Sequence, residues 1–191
     1  TQAALAPSDV PEPLLLTACV ALWRLWEQRG GPRPEAWAGH SLGEYTALTC
    51  AGVVNLGDAV RLVRTRGQLM QQAVGQGEGS MAAILGLDDE QVRSACAQAA
   101  QGGVVEAVNF NAPGQVVIAG SADAVERAIA ACKAAGAKRA MALPVSVPSH
   151  CALMKPAAEQ LAETLSGTRF HAAEMPVINN VDVAMETDPE K

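Results

Sequence analysis

The apolar positions of this chain follow a helical period in its first third and then a mixture of short alternating runs and helices. Leu15, Cys19, Leu22 and Trp26 recur at helical spacing, and Gly30-Gly31-Pro32 is a strong stop, so a helix is predicted over about Glu12 to Arg29. Ala36-Trp37-Ala38 reads as the end of a buried strand, followed by Gly39-His40-Ser41-Leu42-Gly43 and a helical run from Glu44 to Ala51. Asp58 is read as the cap of a further helix to about Val74, closed by glycines 75, 77 and 79. From Ser80 the texture changes. Strands are predicted at Met81 to Leu85, Val104 to Phe110, Gln115 to Ala119 and Arg139 to Val145. Asp88 with Gln91 makes a capping box for a helix ending at Ala100, and Ser121 caps one running through Ala135. That order, β-α-β-β-α-β, is the ferredoxin-like split motif. After it come a helix from about Pro156 to Leu165 and a strand from Pro176 to Val181.

Composition narrows the class. With 49% hydrophobic residues in 191, the chain can bury a core and is not disordered. Its net charge of −6, without a clustered basic tract, excludes a nucleic-acid surface. The richest apolar run, Leu14 to Trp23, is too short to span a bilayer, so no membrane partner is expected. Five dispersed cysteines without a C-x-x-C pair read as reduced thiols of a cytoplasmic protein, and no His, Cys and Asp spacing suits a metal.

The chemistry begins at Gly39-x-Ser41-x-Gly43, a nucleophile-elbow pattern in which glycines leave room for a tight strand-to-helix turn. Such a turn presents the serine hydroxyl at a helix N-terminus, with the Leu42 N–H as the natural oxyanion donor. The bland alternative is an ordinary Gly-rich turn. A serine needs a base, and the chain has His40, His150 and His171. His40 adjoins the serine awkwardly and His171 lies in a polar stretch. His150 follows Pro148-Ser149 in a loop between candidate units, which favours it as the base over a local packing role. No acid is placed to complete a triad, so a backbone carbonyl could orient the imidazole. Arg66 lies on the apolar face of its helix with Ala59, Val63, Met70 and Val74, whereas Arg61 and Arg64 fall on the wetter side. A guanidinium there wants a carboxylate, either a substrate's or, in the simpler reading, one of the protein's own. Asn109, Asn111, Asn179 and Asn180 read as turn residues at strand ends, and Trp23, Trp26 and Trp37 as core.

Gly39-His40-Ser41-Leu42-Gly43-Glu44-Tyr45-Thr46-Ala47-Leu48 resembles the active-site signature of malonyl-CoA:acyl-carrier-protein transacylases of bacterial fatty-acid synthesis. The likeness continues through Arg66 to Gln71, Ala107 to Gly120, and Pro144-Val145-Ser146-Val147-Pro148-Ser149-His150-Cys151. It implies an α/β fold with an α/β-hydrolase-like large subdomain over 1–78 and 147–191, and the ferredoxin-like subdomain inserted over 79–146. It further implies a Ser41–His150 dyad, Arg66 gripping the malonyl carboxylate, and ping-pong transfer of malonyl from malonyl-CoA to the phosphopantetheine thiol of acyl carrier protein. No cofactor is expected. Lys133, Lys138, Arg139 and Lys155 are candidates for a basic patch that meets an acidic carrier.

Two departures accompany the resemblance. The family's N-terminal Gly-Gln-Gly-Ser-Gln segment, source of a second oxyanion donor, is absent, and so is the C-terminal portion that orients the histidine. Ala3 to Pro11 also fits poorly, so the chain is expected to be truncated at both ends. The rival readings are a serine esterase or thioesterase, against which Arg66 speaks, and a non-catalytic carrier-protein-binding module, against which the intact Ser41, Arg66 and His150 speak.

Overall fold

A computed structural model describes residues 11–145 and 147–189. The ill-fitting stretch before Pro11 and Ser146 of the last motif lie outside the described residues. The chain forms a mixed α/β structure of two compact units, residues 1–68 with 161–191 and residues 69–160.

In the first unit, α1 (Pro11–Gln28) is followed by β1 (Trp37–Ala38), α2 (Leu42–Cys50) and most of α3 (Leu56–Gln72). The predicted first helix is present, but its buried face is Leu16 and Val20, one residue on from the predicted set. Leu15, Leu22 and Trp26 are exposed. Apolar residues surround this helix on nearly every side from 14 to 23, so helical spacing alone fits more than one face. Trp23 and Trp37 meet edge to face with ring centroids 4.6 Å apart. Trp26, read as core, instead donates its indole N–H to the Pro32 carbonyl.

Helix α3 begins two residues before the predicted cap. Asn55 is the capping residue, its side-chain oxygen accepting the Asp58 N–H at 2.9 Å, which puts Asp58 inside the first turn. Leu16 and Val20 of α1 pack with Val54, Ala59, Leu62 and Val63 in one core cluster. Short strand β6 (Val177–Ile178) pairs in parallel with β1 and antiparallel with β7 (Met185–Glu186), giving the order β1-β6-β7. The predicted strand 176–181 is thus cut to two residues, because the chain turns at Asn179, whose side chain accepts the Asp182 N–H, and Val181 is exposed.

The second unit holds β2 (Gly79–Leu85), α4 (Asp89–Ala100), β3 (Val105–Ala112), β4 (Gln115–Ser121), α5 (Ala122–Ala134) and β5 (Arg139–Ala142). All pairings are antiparallel in the order β3-β4-β2-β5. Strand alternation sorts the two faces. Ala82, Ile84, Val116 and Ile118 face Val92, Cys96, Val125 and Cys132 of the two helices, while Met81 and Ala119 cluster with Cys151. The Asp88–Gln91 capping box forms as predicted. Ser121 makes no cap bond; its hydroxyl instead accepts the Val104 N–H at 3.3 Å. After β5 come a 3-10 turn (Ala152–Met154) and α6 (Lys155–Ser166). Among the described residues no helix is long and apolar enough to cross a membrane.

Candidate functional site

Ser41 stands between β1 and α2 with φ 54° and ψ −114°, a positive-φ conformation that costs a non-glycine residue free energy. The flanking glycines differ in why they are there. A Cβ on Gly39 would lie 2.0 Å from the carbonyl carbon and oxygen of Gly43, so only glycine fits. A Cβ on Gly43 meets nothing within 4 Å; this residue is the surface approached. Gly39→Ala is therefore expected to lower stability by about 1–3 kcal/mol, as forced overpacking does. Gly43→Ala should be neutral or gain up to about 1 kcal/mol of helix propensity. Urea unfolding midpoints of the two variants compare them directly.

The elbow is clamped by Asn180, a residue that sequence reasoning assigned only to a turn. Its side-chain oxygen accepts the Ser41 N–H at 2.8 Å, its amide group donates to the Gly39 carbonyl, and its backbone N–H donates to the Glu44 carboxylate at 3.1 Å. The parallel β1–β6 pairing brings this about, since both strands deliver their C-terminal ends to the same place. No local signal marks Asn180, because the partners are separated by about 140 positions in sequence.

A serine at a helix N-cap ordinarily turns its hydroxyl onto the first-turn N–H groups. Ser41 makes no such bond, and its Oγ instead accepts from Arg66 Nη2 at 2.9 Å. Arg66 lies on the face of α3 predicted for it, beside buried Ala59, Val63 and Met70, and its side chain is 12% exposed. Of the two readings offered for it, the protein's own carboxylate is present in this structure: Nη1 donates to Glu12 Oε1 at 2.5 Å. Glu12 Oε2 is buried without a hydrogen-bond partner. Burial pushes the Glu12 carboxyl up and the Arg66 charge pulls it only partly back. The Tyr45 ring centroid lies 6.0 Å from the guanidinium carbon, and burial likewise raises the Tyr45 hydroxyl. Leu42 is the first residue of α2, where helical N–H groups lack intrahelical acceptors.

His150 belongs to the second unit, in a tight loop at φ 68°, and is exposed. The loop is held on both sides. Pro148 is fully buried, and Cys151 is buried against Met81 and Ala119 with its thiol donating to the Pro148 carbonyl. The Ala152 N–H donates to Glu106 of β3 at 3.0 Å. Among the described residues no group of three or more His, Cys, Asp or Glu side chains could hold a metal ion.

A family model described as the acyl transferase domain matches residues 5–190. The malonyl CoA-acyl carrier protein transacylase of Salmonella typhimurium strain LT2 is 66% identical over 177 residues, which are 93% of this chain and 57% of that protein. Among solved structures, a malonyl-transacylase in complex with a type II PKS acyl-carrier protein superposes with a TM-score of 0.98 at 57% identity, covering all of this chain and 62% of its own. An acyl carrier protein S-malonyltransferase from Vibrio cholerae O1 gives a TM-score of 0.95 at 62% identity, covering 98% of this chain and 61% of its own. The chain thus spans less than two thirds of the length of each of these relatives.

Proposed function

The chain belongs to the acyl transferase domain family, and from that premise we propose that it carries the malonyl-transfer site of a malonyl-CoA:acyl-carrier-protein transacylase. The observation that carries this reading is Ser41 itself, a strained elbow serine whose hydroxyl meets a partly buried arginine rather than capping its own helix. The names of the similar proteins support the acyl group and the carrier. In the fold that goes with this reading, 1–78 and 147–191 form an α/β-hydrolase-like subdomain, taking in 69–78 and 147–160 from the second compact unit, and 79–146 form the ferredoxin-like one. The antiparallel order β3-β4-β2-β5 agrees with the latter.

Transfer runs in two balanced steps. Ser41 Oγ attacks the thioester carbonyl of malonyl-CoA as His150 takes the hydroxyl proton, and the Leu42 N–H donates to the developing oxyanion. The carbon–sulfur bond breaks, the imidazolium returns the proton to the departing CoA thiolate, and a malonyl-serine ester remains. The phosphopantetheine thiol of the carrier protein then attacks that ester with His150 again as base, regenerating Ser41. Arg66 pairs with the malonyl carboxylate. Neither step needs a cofactor, and the reading places the reaction in the cytoplasm.

Incubation with malonyl-CoA should add one malonyl mass to the protein, located at Ser41 by peptide mapping, and Ser41→Ala should abolish it. A label on any other residue refutes the assignment. Release of free malonate at the rate of ester decay, with no transfer to carrier protein, would favour the thioesterase reading.

A further inference from the structure

We propose that Glu12 sets the acyl-group selectivity of this chain, its carboxylate holding the place on Arg66 that an acyl carboxylate would take. The inference rests on the malonyl-transfer reading above and deepens it. One guanidinium bridges two groups: Nη2 reaches the Ser41 hydroxyl at 2.9 Å, and Nη1 reaches Glu12 Oε1 at 2.5 Å. An acyl group esterified to Ser41 Oγ starts beside Nη2, and a malonyl chain puts its carboxylate only two carbons beyond the ester carbonyl carbon. The Arg66 guanidinium is in hydrogen-bond contact with Ser41 Oγ, within reach of that carboxylate, and one of its terminal nitrogens already carries a protein carboxylate.

The Glu12 side chain is 15% exposed, so water screens the second negative charge weakly. Its hold on Arg66 is one-pronged, since Oε2 is buried without a hydrogen-bond partner. A carboxylate bound through both oxygens is the better ligand for a planar guanidinium. Malonyl therefore enters only by displacing Glu12 from Arg66 or by sharing the guanidinium with it against like-charge repulsion. An acetyl group needs neither, because it leaves the Glu12–Arg66 pair intact. The carboxylate thus biases the site against acyl groups ending in a negative charge, and the amide of a glutamine would remove the bias while keeping size and an acceptor for Arg66.

The test is calorimetric binding of malonyl-CoA and acetyl-CoA to the Ser41→Ala protein with and without Glu12→Gln, so that no transfer step intervenes. The added Glu12→Gln should tighten malonyl-CoA binding tenfold or more and change acetyl-CoA binding less than twofold. Glu12→Ala should shift the ratio of the two dissociation constants in the same direction. An unchanged ratio, an equal change for both thioesters, or no gain of malonyl-CoA binding in either variant overturns the proposal. The transfer reading is judged separately, by whether Ser41 of the unaltered protein acquires the malonyl mass.

Discussion

Arg66→Ala is expected to abolish malonyl transfer while leaving acetyl transfer in place or raising it. The expectation follows from helix phase and from the contacts the side chain makes. Arg66 sits on the buried face of α3 and donates to Ser41, so its charge stands at hydrogen-bond distance from the atom that is esterified. Hydrogen bonds to charged groups contribute roughly 1.5–3 kcal/mol each, enough to decide between a carboxylated and a neutral acyl group. Truncation also strips Glu12 of its partner. The abandoned carboxyl, already pushed up by burial, is then pushed further up, because the Arg66 charge no longer pulls it back. Arg66→Lys should recover only part of the malonyl preference, since an ammonium lacks the planar fork that reaches Ser41 and a carboxylate together. The measurement is kcat/KM for malonyl-CoA and acetyl-CoA across the three proteins. A ratio of the two that stays constant would make Arg66 a purely structural arginine. The Arg66→Ala, Glu12→Gln double variant separates loss of the grip from the cost of a stranded carboxyl, because the second change removes the latter.

Local features were legible in the sequence, and non-local ones were not. The Asp88–Gln91 capping box is written in adjacent residues and forms as read. The phase of Arg66 follows from positions within eight residues of it, and Ala59, Val63 and Met70 are buried as that phase requires. By contrast, α1 carries apolar residues on most sides, and the choice of Leu16 and Val20 as the inner face is made by Val54, Leu62 and Val63, far along the chain. Asn180 was invisible as part of the elbow because its role depends on β6 lying beside β1. The sequence pattern marks Glu12 only as the start of a helix. Its meeting with Arg66 spans 54 positions, and no periodicity in either segment announces it. The Ser121 hydroxyl illustrates the same limit at shorter range, since the Val104 N–H just before β3 outcompetes the helix it precedes.

His150→Asn should slow formation of the malonyl-serine ester by something like 10²–10⁴-fold, the usual range for loss of a general base. Asparagine is the informative replacement because His150 holds φ at 68°, and asparagine tolerates that left-handed region better than alanine. Alanine would mix loss of the imidazole with backbone strain of order 1–2 kcal/mol. The loop itself should survive the change. Among its anchors are the fully buried Pro148, the Cys151 thiol on the Pro148 carbonyl, and the Ala152 N–H on Glu106. A matching thermal midpoint for His150→Asn and the unaltered protein would register that survival. Single-turnover acylation followed by rapid quench then isolates the first chemical step from carrier-protein release. Transfer on to a thiol offers an internal check: the departing Ser41 alkoxide must take its proton from the imidazolium, so the variant should slow both half-reactions. Near-normal acylation by His150→Asn would assign the proton of Ser41 to another acceptor.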